Sequence, residues 1–310
     1  MNRRSAVATL PALCIGGSWR LLFGAAVSSG NPSRLRFGLS TNLLTDVNDN
    51  DARAAMTVWA ETLTKRAGLE IRYAPTVLLS PEKLVEAARA GALDAFAAST
   101  VEYQDLAPFI DPSVVVVDEP YAASGGEEYL ILAHESGAVS DLASLRNRPL
   151  SLYKHPTTCL APAWLDTLLA AAKLGLPETF LGAISANAKL SRVVLPVYFR
   201  QTEACLVTRR GFTTMCEMNP QLAKSLRVIA SSPRLLPVFM AFHRSCEPAL
   251  EARVLPVMLN MRGDAGAKQI FALFQTQGLV TLDISILRRS AETVSAAARL
   301  RRGARKVEAP

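Results

Sequence analysis

The chain has little of what metal centres, stacking platforms or membrane spans require. Its 310 residues include only three histidines and five cysteines, with no Cys-x-x-Cys pair and no ligand spacing among His134, His155 and His243. That excludes the common zinc patterns, and no metal or other cofactor is expected. Aromatic residues make up 6%, and Trp59 and Trp164 fall inside amphipathic segments, where they read as core and not as a platform for a sugar or base. No apolar run reaches the roughly 20 residues that cross a bilayer. The most apolar stretch, near the N-terminus, is broken by Pro11, Gly16, Gly17 and Arg20.

What is present is a globular composition, 50% hydrophobic and 20% charged, with room for two modest domains or one large one. The net charge is +7, but the segment from Arg288 onward carries seven basic residues against Glu292 and Glu308. The body therefore has no excess that would point to nucleic acid. Residues 1–30 begin with Arg3 and Arg4, continue apolar and reach Gly24, Ala25 and Ala26, the order of an export signal. Arg3 and Arg4 fit a twin-arginine variant. "PALC", ending at Cys14, has the bulky Leu13 where lipid attachment wants a small residue. In an oxidising compartment the remaining Cys159, Cys205, Cys216 and Cys246 are even in number, and their pairing stays open.

Along the chain, short apolar runs alternate with helical periodicity. "LRFGLSTN" reads as a strand, followed by a helix in "DARAAMTVWAETLTKRAGL" that stops at Gly68. "EIRYAPTVL" alternates as a strand; "SPEKLVEAARAG" has Ser80 as N-cap, Pro81 at the first helical position and Gly91 as its stop. "ALDAFAAST" is the next strand. After "SGGEE" the order resumes: "EYLILAHE" as strand, "SDLASLRN" as short helix, "RPLSLYKH" as strand, "APAWLDTLLAAAKLGL" as helix, "TFLGAISAN" as strand, "VVLPVYFRQ" as helix and "TEACLVT" as strand. Such alternation predicts parallel sheets with helices on their faces, in two α/β lobes. "SPRLLPVFMAFHR" reads as a return connection and a further strand, and the end of the chain as a low-complexity segment or surface helix.

Three strand ends carry hydroxyl or amide side chains: Ser40, Thr41 and Asn42; Ser99 and Thr100; Thr157 and Thr158. In open α/β sheets ligands bind beyond the carboxyl ends of strands, where helix N-termini offer free N–H groups. These clusters suit an oxyanion; taken singly, they are also ordinary N-caps.

In chain order, "LRFGLSTN", "SPEKLVEAARAGALDAFAASTVEY", the segment from "EEYLILAHE" through "PTTCLAPAWLDTLL", and "RQTEACLVTRRGF" resemble the periplasmic phosphonate-type substrate-binding proteins of ABC transporters, over about residues 35 to 280. The resemblance implies a type II periplasmic binding fold: two α/β lobes, 31–125 with 232–287 and 126–231, joined by crossings near "PYAASGGEEY" and "VIASSPRLLP"; beyond the stretch it covers, residues 288–310 read from their charge as a basic tail. It implies a ligand site made of Ser40, Thr41, Asn42, Ser99, Thr100, Tyr103, Thr157, Thr158, Cys159 and Ser191. It also implies a monomer that hands a phosphate-, phosphite- or phosphonate-like ligand to a membrane permease. The chain departs from the family pattern at three places: Cys159 in the "PTTC" turn, "KLS" at Lys189 to Ser191, and Thr208 with Arg209 where an aspartate is usual. Without those acidic groups for an aminoalkyl tail, a plain oxyanion is expected. Lys154, Lys189 or Arg209 would supply charge. A sensory or orphan binding module is the alternative, because lobe closure serves a receptor as well as a permease. An enzyme would need Cys159 activated by His155, but Pro156 turns the chain between them and no third orienting residue is identifiable.

Overall fold

The computed structural model describes residues 35–44, 48–69, 77–273 and 276–308, all within one compact unit, Pro32–Pro310. The expected export signal and most of "EIRYAPTVL" lie outside these residues. Two mixed sheets carry the fold. The first is built from β1 (Phe37–Ser40), β2 (Val77–Leu79), β3 (Ala95–Ser99) and β4 (Val114–Asp118), and the second from β5 (Tyr129–His134), β6 (Leu150–Tyr153), β7 (Ile184–Asn187), β8 (Ala204–Thr208) and β9 (Leu226–Ser231). The chain then returns to the first sheet with β10 (Val238–Phe242) and β11 (Leu279–Asp283), giving orders β11-β4-β10-β3-β1-β2 and β7-β6-β8-β5-β9.

Periodicity alone predicts parallel sheets, and the pairings β1–β2, β1–β3, β6–β7 and β6–β8 are parallel. The strands that follow each crossing are different. β5 starts at Tyr129 opposite Thr208, where β8 ends, and β10 starts at Val238 opposite Ser99, where β3 ends. Both enter their sheet from the end at which the crossing arrives, so both run antiparallel to those neighbours. β11 also runs antiparallel to β4.

The two crossings meet. Gly126 has φ +121°, and a Cβ there would lie 2.7 Å from the Leu235 backbone, so the close approach requires glycine. Each sheet has its own core. Phe37 and Trp59 pack edge-on at 5.1 Å under the first, beside Leu63, and Tyr129, Leu150, Trp164 and Phe180 fill the second. Both tryptophans are buried, as their positions in amphipathic segments predict.

The chain ends in a helix, Leu287–Glu308, laid against the helix Ala161–Ala171. Leu287 is fully buried, the Leu236 N–H donates to Ser290 Oγ at 2.8 Å, and Gln104 donates to Ser295. Arg301 reaches Asp166 with two N–H groups and Glu178 with a third. The segment read as a basic tail is thus a packed helix, bonded at one end to the second crossing and at the other to the second sheet's flank. Among the described residues, no helix is long and apolar enough to cross a membrane.

Candidate ligand-binding cleft

A cavity of about 450 Å³ opens where strands of both sheets end, a size that suits a small molecule. The first sheet's side is largely apolar, with Phe37, Leu39, Met56, Trp59, Met240 and Phe271, but it also carries Asp118, Tyr121 and Thr276. The second sheet's side contributes Tyr153, His155, Thr157, Lys189 and Arg210.

β6 delivers the central turn. After Tyr153 the chain passes His155 into a single 3-10 turn, Pro156–Thr158, in which Pro156 takes the first position, where no N–H is needed. Thr158 locks the turn: its hydroxyl lies 2.6 Å from Tyr153 O and 2.8 Å from His155 O, and it accepts the His155 N–H at 3.0 Å. The Thr157 N–H donates to His155 Nδ1 at 3.3 Å, and the Thr157 hydroxyl sits 2.8 Å from the same nitrogen. An Nδ1 that accepts leaves the imidazole proton on Nε2. The ring stacks on Tyr153 at 5.3 Å, and burial, aided by the Arg210 charge, pushes its pKa down to about 4. His155 is therefore a neutral donor at physiological pH.

Of the cations the sequence offers, Lys189 alone lines the cavity, and no carboxylate lies within bridging distance of it among the described residues. Lys154 is exposed away from it, and Arg209 is held by Glu128 at 2.6 and 2.8 Å. Its neighbour Arg210, which the sequence did not single out, lines the cleft and spans the sheets. It reaches Asp118 at 3.4 Å, the Tyr121 hydroxyl at 3.3 Å and Glu127 at 3.5 Å. Two carboxylates already share its charge, so Arg210 is a shared cation and Lys189 an unshared one.

Ser40, Asn42 and Ser99 come together, but around a residue of the chain itself. Ser40 Oγ donates to Glu102 Oε1 at 2.6 Å, Asn42 Nδ2 to the same oxygen at 2.8 Å, and the Ser99 N–H to Glu102 Oε2 at 2.9 Å. Burial raises the Glu102 pKa above the ordinary carboxylate value, against the pull of these donors. The signal for Glu102 was present in "STVE", the Ser-x-x-Glu spacing of a capping box; the contacts from Ser40 and Asn42, about 60 residues away, had none. Thr41 is half-buried beside this cluster. The Thr100 hydroxyl donates to Leu236 O at 2.5 Å, and Tyr103 packs edge-on against Phe239 at 5.9 Å. Cys159 points its thiol at Pro237 O, 3.2 Å away, and burial followed by the charge of Glu102 pushes its pKa up to about 12. Ser191 is exposed at the start of the helix Leu190–Tyr198. Of the ten residues expected to hold ligand, Thr157 is the one that lines the cavity. Cys159, Cys205, Cys216 and Cys246 are all free thiols.

Residues 43–286 match the family described as ABC transporter, phosphonate, periplasmic substrate-binding protein. The chain belongs to this family. Its members capture solute for transport, and the two-lobed α/β architecture is that of type II periplasmic binding proteins. No curated protein sequence matches the chain. Solved structures share the fold at low identity. XAC2383 from Xanthomonas citri bound to ATP is 16% identical with a TM-score of 0.60, over 87% of this chain and 98% of that one. PhnD1 from Prochlorococcus marinus in complex with methylphosphonate is 15% identical with a TM-score of 0.56, over 85% and 97%. A binding protein component of an ABC phosphonate transporter from Pseudomonas aeruginosa is 13% identical with a TM-score of 0.51, over 88% and 98%.

Proposed function

We propose that this family member is a periplasmic monomer that captures a small oxyanion-bearing solute in the cleft and delivers it to its permease without chemical change. The observation that carries this reading is the 450 Å³ cavity with its donors on one wall: His155 through Nε2–H, Lys189 through an unshared ammonium and Arg210 through a shared guanidinium. A neutral imidazole donor and a nearby cation stabilise an anion without a covalent step. The Cys159 thiol, held protonated and turned to Pro237, supports binding over nucleophilic chemistry. Two of the similar structures hold phosphorus oxyanions, ATP in one and methylphosphonate in the other.

The test is thermal unfolding of the protein against phosphate, phosphite, methylphosphonate, 2-aminoethylphosphonate, longer alkylphosphonates, sulfate and carboxylates. A bound ligand at 100 times its Kd stabilises by about 2.7 kcal/mol, a readily measured rise in Tm. A rise with a phosphorus oxyanion supports the reading. No rise with any of them overturns it.

A further inference from the structure

We infer that Asp118 is a specificity-determining residue that reads a proton on the ligand: the cleft takes its oxyanion singly ionised, with the remaining P–OH donating to the Asp118 carboxylate, and rejects oxyanions of the same shape that carry no proton. The inference rests on the proposed capture of an oxyanion and names the ionisation state captured.

Asp118 ends β4, and it lines the cavity together with Arg210, Tyr121 and Thr276. Arg210 Nη1 lies 3.4 Å from Asp118 Oδ2, and Nη2 lies 3.3 Å from the Tyr121 hydroxyl, over whose ring the guanidinium sits at 5.2 Å. An arginine carries five N–H donors, so several remain for a ligand oxygen. Because cation and carboxylate are neighbours, an oxyanion that reaches Arg210 from the cleft arrives beside Asp118. The Thr276 hydroxyl donates to Asp118 Oδ1. With Arg210 it occupies two of the carboxylate's roughly four lone-pair sites, and the others can still accept.

An ionised carboxylate accepts and cannot donate. An unprotonated ligand oxygen placed against it meets a like charge with no hydrogen between. A P–OH in the same place makes an O–H···O⁻ bond, one of the strong kinds. The surrounding charges favour the same form. Arg210 is faced by Asp118 and, at 3.5 Å, by Glu127, while Glu119, next in the chain, is bridged to Arg262. Lys189 lines the cavity as a further cation, and His155 is neutral. Arg210 and Lys189 set against Asp118 and Glu127 leave no surplus of positive charge to hold a second negative charge out of water.

The experiment is calorimetric titration of the intact protein with two isosteric pairs, methylphosphonate against methanesulfonate and phosphate against sulfate. A range from about pH 6 to about pH 9 carries the phosphorus ligands through their second ionisation, while the sulfur ligands hold no proton throughout. A site built around a ligand O–H rejects the analogue that lacks it, so each phosphorus ligand should bind at least about a hundredfold tighter than its sulfur counterpart at the acid end. Above the ligand's second pKa this preference should fall about tenfold per pH unit, with the protonated fraction. Ionisations of the protein itself, at Glu127, Lys189 or elsewhere, act on both members of a pair, so their ratio isolates the ligand's proton. For whichever pair binds, a ratio near unity at the acid end, or a ratio independent of pH, overturns the inference while oxyanion capture stands. Binding of none of the four overturns capture itself and the inference with it. In Asp118→Asn the new amide can donate to an unprotonated oxygen, so the ratio should drop at least about tenfold through a gain by the sulfur ligand. An unchanged ratio in the folded variant overturns the role of Asp118. Where that variant does not fold, the pH profile of the natural chain decides alone.

Discussion

Glu127 and Leu235, one from each segment joining the two sheets, exchange both backbone hydrogen bonds: Glu127 N to Leu235 O at 2.7 Å and Leu235 N to Glu127 O at 2.8 Å. The crossings are therefore coupled as a miniature antiparallel ladder, and motion of one sheet against the other has to bend about this pair. Gly126 makes the approach available. Gly126→Ala places a methyl 2.7 Å from the Leu235 backbone at a φ of +121°, where L side chains are strained. It should cost at least about 2 kcal/mol in urea unfolding. A variant as stable as the natural chain would show that the ladder can open without loss.

Thr157 and Thr158 are adjacent yet belong to different ledgers. The Thr158 hydroxyl is buried and bonded to Tyr153 and His155, so Thr158→Val should lower stability by about 2 kcal/mol. Thr157 faces the cavity and orients His155, so Thr157→Val should weaken ligand about tenfold with a smaller effect on stability. Denaturant unfolding and titration calorimetry on the two single variants separate these outcomes, and equal effects on both quantities would refute the division.

His155 has a definite pH signature. Its pKa is about 4 in the folded protein against 6.5 ordinarily, so as pH falls the unfolded chain takes the proton first. Its contribution to stability is complete above pH 6.5 and is lost progressively down to about pH 4. Glu102 and Glu127, with raised pKa values, act in the opposite direction in the same acid range. The quantity to measure is therefore the difference between the natural chain and His155→Asn. That difference should shrink as pH falls from 6.5 toward 4, and a difference independent of pH would contradict a buried neutral imidazole.

The terminal helix should matter to the whole molecule. Asp166 is 1% exposed and its partner Arg301 is 42% exposed, so solvent screens part of the pair while the carboxylate remains buried. Arg301→Ala should cost about 2 kcal/mol. Deleting the residues beyond Leu287 also removes Ser290 from the Leu236 N–H, and should cost more than Arg301→Ala alone. Equal unfolding midpoints for the natural and shortened chains would return the segment to the status of a tail.

The elements that could be read in advance were those whose cause is local. Ser80, Pro81 and Gly91 mark one helix through cap chemistry, and its bounds, Pro81–Arg89, follow. Trp59 and Trp164 were legible as core because burial follows helical spacing. "VVLPVYFRQ" reads as helix and forms one, Leu190–Tyr198, despite Pro196. Strand direction was not legible in β5 and β10, since a period of two is the same in either direction and the crossing decides which end enters first. The packing of the last helix was equally hidden, because Arg301 and Asp166 are 135 residues apart and one of them sits in a run of other basic residues.

The site divides in the same way. By itself the sequence determined the family, the alternation of strand and helix, and that hydroxyl groups gather where β1, β3 and β6 end, because caps and strand ends are set by neighbouring residues. Only the tertiary structure decided what those hydroxyls hold. Ser40 and Asn42 meet Glu102, Thr158 meets its own turn, and Thr157 is left at the cleft beside His155, Lys189 and Arg210. A donor's identity is written in one residue, but whether it is free is settled by an acceptor that folding brings from elsewhere in the chain.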